Sequence, residues 1–128
     1  MESQRDAMLL DDRVFYACSA GIQLTSHRHS NVAGILSGNG LMQPKLTGRG
    51  VFAVESPVPQ HEIEIIELKG SDELVVDGDF MLMYSASLNV SIGPLVKGLR
   101  DVMRSGEGIV YRFSGAGTVF LIPTAKVC

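Results

Sequence analysis

The sequence predicts an all-β fold: an antiparallel β-sandwich or barrel-like set of stacked sheets, built from two internal repeats, with one short helix near 95–104. Three observations carry this expectation. Short runs of alternating polar and apolar residues recur along the chain, bounded by Gly, Asn and Asp, which is the period of a half-buried strand. An order of turn, strand, turn, strand occurs twice. Only one segment has helical spacing.

Residues 1–13 read as a flexible or peripheral N-terminal extension, because Glu2, Arg5, Asp6, Asp11, Asp12 and Arg13 surround a short apolar patch at Ala7–Leu10. Residues 14–128 read as a single β domain, with a first repeat at about 14–56, connecting strands at 57–80 and a second repeat at about 81–122. Strands are expected at Val14–Cys18, Ile22–Thr25, Leu41–Leu46 and Val51–Glu55. The segment Ser56-Pro57-Val58-Pro59 reads as the crossing between the halves. From Glu62 to Leu68 the pattern alternates and then slips phase at Ile65-Ile66, which suggests a bulge or a strand buried on both faces near its end. Glu73–Val76, Asp77-Gly78 and Phe80–Tyr84 read as a hairpin, since Asp-Gly supplies the positive φ values of a two-residue turn. Leu88–Ile92, Gly108–Phe113 and Thr118–Ile122 complete the strands. The helix is expected after Pro94. Leu95, Leu99, Val102 and Met103 fall on one face there, Lys97, Arg100, Asp101 and Arg104 on the other, and Gly106 follows.

Self-similarity is the most informative feature. Ser37-Gly38-Asn39-Gly40-Leu41-Met42 returns as Ser105-Gly106-Glu107-Gly108-Ile109-Val110, and Leu46-Thr47-Gly48-Arg49-Gly50 as Phe113-Ser114-Gly115-Ala116-Gly117. Phe52 and Val54 match Val119 and Leu121 in apolar phase. Upstream, Ala20, Ile22 and Leu24 match Ala86, Leu88 and Val90. The spacing changes inside Leu41–Leu46, where Pro44 reads as an extra residue at an edge or bulge. One such unit cannot bury its own apolar face, and two packed together can. The eight glycines of the four Gly-x-Gly pairs, Gly38, Gly40, Gly48, Gly50, Gly106, Gly108, Gly115 and Gly117, therefore read as structural turn residues. A phosphate loop would need a strand, then the glycine turn, then a helix N-terminus, and these pairs lack that context.

Composition narrows the function classes. Eleven Lys and Arg against fourteen Asp and Glu give a net charge of −3. The basic residues are scattered, whereas nucleic-acid binding by counterion release needs them clustered. No run approaches the ~18 apolar residues of a membrane-spanning helix, so no integral membrane segment is expected. The N-terminus resembles neither a signal nor a transit peptide. Two cysteines, Cys18 and Cys128, make no disulfide framework. The expected setting is the reducing cytoplasm, with no cofactor.

Candidate chemistry is sparse. Gly21 followed by His27-x-His29 resembles the opening of a cupin metal motif, and residues i and i+2 of a strand share a face. The carboxylate such a motif needs is absent, since Ala33 and Gly34 stand in its place. His61 is the remaining histidine. Cys18 reads as a small core residue with no base to activate it, and Cys128 as a terminal thiol. Glu62, Glu64 and Glu67 read as the solvated face of a half-buried strand.

The repeat also carries a family resemblance. Gly38-Asn39-Gly40-Leu41 with Leu46-Thr47-Gly48-Arg49-Gly50, then Glu73-Leu74-Val75-Val76-Asp77, then the run from Gly106 to Leu121, resembles the altered-inheritance-of-mitochondria twenty-four family. That family is described as a domain of unknown function with a fold like the trp RNA-binding attenuation protein. The resemblance implies stacked antiparallel sheets with internal repeats, in bacterial cytoplasmic proteins and some mitochondrial ones linked to inner-membrane architecture. It supplies no catalytic residues. Members are usually longer, so the chain is expected to be a short version or a fragment lacking an upstream repeat. The RNA-binding relative uses a ring of basic residues that has no match here.

The resulting expectation is a non-enzymatic binding or scaffold protein acting as a homo-oligomer. Its charged fraction of 20% lies below the ~25% of typical soluble domains, which suits a partly covered surface. The alternative is a small cupin-like metal-binding protein or metalloenzyme using His27 and His29.

Overall fold

A computed structural model describes residues 1–3, 5–29, 41–94 and 109–123. Among these the fold is all-β, with nine strands: β1 (Ala7–Leu10), β2 (Phe15–Cys18), β3 (Ile22–His29), β4 (Leu41–Gly48), β5 (Phe52–Val54), β6 (Glu64–Asp77), β7 (Met81–Ser85), β8 (Asn89–Pro94) and β9 (Ile109–Leu121). Seven of them form one curled antiparallel sheet in the order β3-β4-β1-β7-β9-β6, with β8 also paired to β9. Strands β2 and β5 form a second, two-stranded sheet. The expected helix near 95–104 lies outside the described residues, as do Gly38, Gly40, Gly106, Gly108 and Cys128.

The internal repeat holds down to individual pairings. Adding 66 to residues of β1, β2 and β3, and 67 to residues of β4 and β5, maps one set of ladders onto another. Leu24↔Leu46 becomes Val90↔Phe113, and Met8↔Leu46 becomes Leu74↔Phe113. Phe15↔Val54 and Cys18↔Phe52 become Met81↔Leu121 and Tyr84↔Val119, and both ladders shift register at the same point, between Phe15 and Ala17 and between Met81 and Met83. The loop bonds repeat as well. Ile22 N–H donates to the Ser19 carbonyl at 3.0 Å as Leu88 N–H does to Ser85 at 3.2 Å, and Glu55 N–H reaches Val14 as Ile122 N–H reaches Phe80. The Ser19 hydroxyl accepts from Val51 N–H at 3.2 Å, and the Ser85 hydroxyl from Thr118 N–H at 2.9 Å.

This equivalence corrects several expectations. Residues 1–13 are not a peripheral extension. Their apolar patch is β1, which lies between β4 and β7 with Leu10 wholly buried, and it is the counterpart of Glu73–Val76. The repeats therefore begin at β1 and near Glu73 rather than at 14 and 81. Pro44 is not an extra residue, for it sits opposite Ser26 in an unbroken ladder, and β1 flanks β4 only at Lys45–Thr47. The single-residue difference between repeats falls instead between Arg28 and Met42.

Two pairs of segments expected as separate strands are each continuous in the structure. Glu62–Leu68 and Glu73–Val76 join in one strand, β6, whose register shift lies between Lys69 and Glu73 rather than at Ile65-Ile66. Gly108–Phe113 and Thr118–Ile122 likewise merge in β9. Gly115 is a kink inside that strand, at φ +92°, and Gly117 lies against Leu88, so neither is a hairpin turn. Asp77-Gly78 makes no two-residue hairpin either. β9 lies between β6 and β7, and the chain passes through a 3-10 turn at Gly78–Phe80, capped by the Asp77 carboxylate accepting from Asp79 N–H at 2.9 Å.

Each repeat centres its own core. One cluster gathers Val76, Met81, Tyr84, Leu88, Ile92, Tyr111, Phe113 and Val119 from the second repeat with Leu68 from the stretch of β6 before it, and the other gathers Leu10, Val14, Ile22 and Leu46 from the first. The cores are cross-stitched: Leu9 reaches into the second, and Leu82 and Ile122 into the first. β1 does this stitching, because adjacent residues of a strand face opposite sides.

Candidate functional site

The two histidines of the sequence motif do come together. His27 and His29 lie on one face of β3, with ring centroids 4.8 Å apart and planes at 82°. They diverge in surroundings. His27 is half-buried, and burial, helped by His29 and Lys45, holds its imidazole below the ordinary histidine pKa. His29 is buried and engaged. Its Nε2 is 2.6 Å from Gln43 Oε1 and 3.1 Å from the Tyr84 hydroxyl. His61 stands apart, exposed in the 3-10 turn at Gln60–Glu62. Among the described residues no group of three or more His, Cys, Asp and Glu is placed to hold a metal ion.

His29 belongs instead to a polar cluster that sequence reasoning missed. The Tyr84 hydroxyl donates to Gln43 Oε1 at 2.6 Å, and Gln43 Nε2 donates to the Tyr111 hydroxyl at 3.2 Å. With the His29 proton assigned to Nε2, each contact has a donor and an acceptor. All four residues are buried: Gln43 is 2% exposed and Tyr84 0%. Burial pushes both tyrosine hydroxyls far up from the usual phenol range, so they act as neutral donors and acceptors. Among the described residues no buried side-chain polar atom lacks a partner. The cluster joins β3 and β4 of the first repeat to β7 and β9 of the second. Its chemistry is that of a satisfied clamp, with no free base or nucleophile directed at solvent.

Replacing Gln43 with leucine, of similar size, removes an acceptor and a donor that serve three buried partners. A loss of about 1–3 kcal/mol is expected, because the remaining groups keep their desolvation cost. Urea unfolding of the variant checks this, and an unchanged midpoint would show that the clamp holds nothing.

The other candidate residues are dispersed. Cys18 is half-buried, with its Sγ 3.9 Å from the Ile22 carbonyl oxygen and packed against the first-repeat core. Glu64 and Glu67 point to opposite faces of β6 and Glu62 lies in the preceding turn, so the three do not form one acidic face. Arg112 and Glu73 pair across β9 and β6 at 4.0 Å. One opening of about 600 Å³ runs over the inter-repeat joint between Arg5, Met8, Phe52, Met83 and Phe120, and another of about 200 Å³ lies beside Glu73, Asn89 and Arg112. Neither carries a catalytic set. No helix among the described residues is long and apolar enough to cross a membrane.

Residues 1–124 match the family described as mitochondrial biogenesis AIM24. The chain belongs to this family. No curated protein matches it. The AIM24 chain is also similar to an X-ray crystal structure of a Streptococcus pyogenes protein from a structural-genomics programme, with a TM-score of 0.74 and 24% identity. The alignment covers 98% of this chain and 53% of that one, so the chain spans about half the length of the solved protein. At this identity the likeness carries the fold alone.

Proposed function

We propose that this AIM24-family chain is a non-enzymatic, cytoplasmic scaffold or binding protein that works as a homo-oligomer and does not bind nucleic acid. One observation supports this best. Among the described residues, four of the six large apolar side chains left exposed lie on strands at sheet edges: Tyr16 on β2 at 74%, Ile65 and Val75 on β6 at 61% and 47%, and Leu24 on β3 at 48%, the other two being Met42 on β4 and Val51. Open edges with apolar side chains are liabilities unless another chain covers them. The buried His29–Gln43–Tyr84–Tyr111 cluster is consumed in holding the repeats together, which favours a structural role over a catalytic one. Scattered basic residues and a net charge of −3 disfavour a nucleic-acid partner. Size-exclusion chromatography with light scattering tests the reading. A mass at a multiple of 13.8 kDa is expected, and a monomer at micromolar concentration would sink it.

A further inference from the structure

The chain contains one complete joint between repeats. β7, the second strand of the second repeat, lies on β1, the first strand of the first repeat, in the register Met8↔Ser85, Leu9↔Tyr84 and Leu10↔Met83. Asp11 N–H to the Leu82 carbonyl and Ala86 N–H to the Ala7 carbonyl, both 2.9 Å, extend it. The joint buries Leu9 to 4% and Leu82 to 0%. Repeat equivalence gives each side of this joint a counterpart. The counterpart of β1 is Glu73–Val76 in β6, and that of β7 is β2. Among the described residues, Glu73–Val76 pairs only with β9 and β2 only with β5. Both therefore present an outer edge. The side chains follow suit. Val75, the counterpart of Leu9, is 47% exposed, and Tyr16, the counterpart of Leu82, is 74% exposed. Among the described residues, one chain thus carries both halves of a second joint, unpaired.

We propose that this joint forms between copies: β2 of one molecule lies antiparallel on Glu73–Val76 of another, in the register Leu74↔Ser19, Val75↔Cys18 and Val76↔Ala17. The transferred bonds run from Asp77 N–H to the Tyr16 carbonyl and from Ala20 N–H to the Glu73 carbonyl. Val75 then enters the first-repeat core of the next copy as Leu9 enters the second-repeat core within one chain. Because each molecule has one edge of each kind, the contact is head-to-tail, closing into a ring if its rotation permits and otherwise running on as a filament. A second copy is the occupant because the same chain supplies both complementary edges. This deepens the homo-oligomer reading and rests on it.

Native Cys18 stands opposite Val75 in this register, so a cross-link reads the joint directly. In a Cys128→Ser background, Val75→Cys is expected under mild oxidation to link copies into covalent dimers and higher multiples, and the same protein carrying Cys18→Ser is expected to link none. Cross-linking that survives the loss of Cys18 would join two β6 edges and overturn the proposal. An assembly by light scattering with no link between positions 75 and 18 overturns this joint while the homo-oligomer reading stands. A monomer overturns both. Tyr16→Lys and Val75→Lys, at exposed positions of the single chain, give a readout independent of disulfide geometry. Each is expected to lower the mass to that of one chain with the far-ultraviolet circular dichroism of folded strands retained, and an unchanged assembled mass in both overturns the joint.

Discussion

Phe113→Ala is expected to destabilise the domain by about 3–5 kcal/mol, the usual cost of emptying an aromatic site in a packed core. The side chain is wholly buried. Its ring lies 4.9 Å from that of Tyr84 and stacks within 13° of Tyr111 at 6.0 Å. It also stands where three strands meet, opposite Leu74 on β6 and Val90 on β8. Removal leaves a void bounded by tyrosines that the polar clamp holds in place, so the surroundings collapse poorly and the upper part of the range applies. Against a typical total of about 5–15 kcal/mol this is a large fraction. With a urea m-value of about 1–3 kcal/mol/M, the unfolding midpoint should fall by roughly 2 M. The comparison that gives the result meaning is Leu24→Ala. Leu24 is 48% exposed in the single chain, so its loss should stay within about 0.5 kcal/mol. Equal effects of the two substitutions would mean that Phe113 does not organise the second-repeat core.

The position of Phe113 illustrates what was legible in the sequence. Its match to Leu46 came from glycine spacing and apolar phase, and the ladders place both residues at equivalent points, each wholly buried. Repeats leave such a trace because paired strands demand the same spacing twice. What was not legible had local signals that a distant partner overrode. Asp77-Gly78 is a strong hairpin signal, yet β9 inserts between the strands it would have joined. Gly70 and Gly115 resemble turn residues, and both lie inside long strands at positive φ. A bulge and a turn use the same residue for the same reason, so only the continuing partner strand distinguishes them.

The candidate site was legible only by halves. His27-x-His29 on one strand face follows from the two-residue period, and the contact between the rings agrees with it. The partners that decide the role of His29 do not follow. Gln43 meets Tyr84 from 41 positions away and Tyr111 from 68, distances over which no local pattern speaks. The N-terminal strand was missed for a related reason. Four residues flanked by charges carry little periodic signal, and their strand character comes from lying between β4 and β7. Their counterpart at Glu73–Val76 reads as a strand from sequence because Asp77-Gly78 follows it with a turn signal.

Gly48→Ala is expected to cost about 3 kcal/mol, through two effects that a comparison with Gly70 separates. Gly48 sits at φ +120°, where an L side chain is strained by about 1–2 kcal/mol. A Cβ there would also stand 2.5 Å from the Gly21 carbonyl oxygen. That oxygen is backbone, tied to the adjoining Ile22↔Gly48 pair of the β3–β4 ladder, so it cannot swing aside as a side chain could. Overpacking of this kind adds about 1–3 kcal/mol. Gly70 has a similar φ, +106°, but nothing within 4 Å of its Cβ position, so Gly70→Ala carries the backbone strain alone. Gly115, the repeat counterpart of Gly48, falls between them: its φ is +92°, and its nearest neighbour is the mobile amide of Asn89 at 3.3 Å. Urea midpoints should therefore drop in the order Gly48→Ala, Gly115→Ala, Gly70→Ala. If Gly48→Ala costs no more than Gly70→Ala, the glycine is kept for its dihedral angle alone and the close approach of β3 to β4 is dispensable. The larger cost would instead mean that the glycine lets two backbones meet where the first repeat leaves the main sheet for the β2–β5 sheet, a constraint that the continuous β9 of the second repeat does not share.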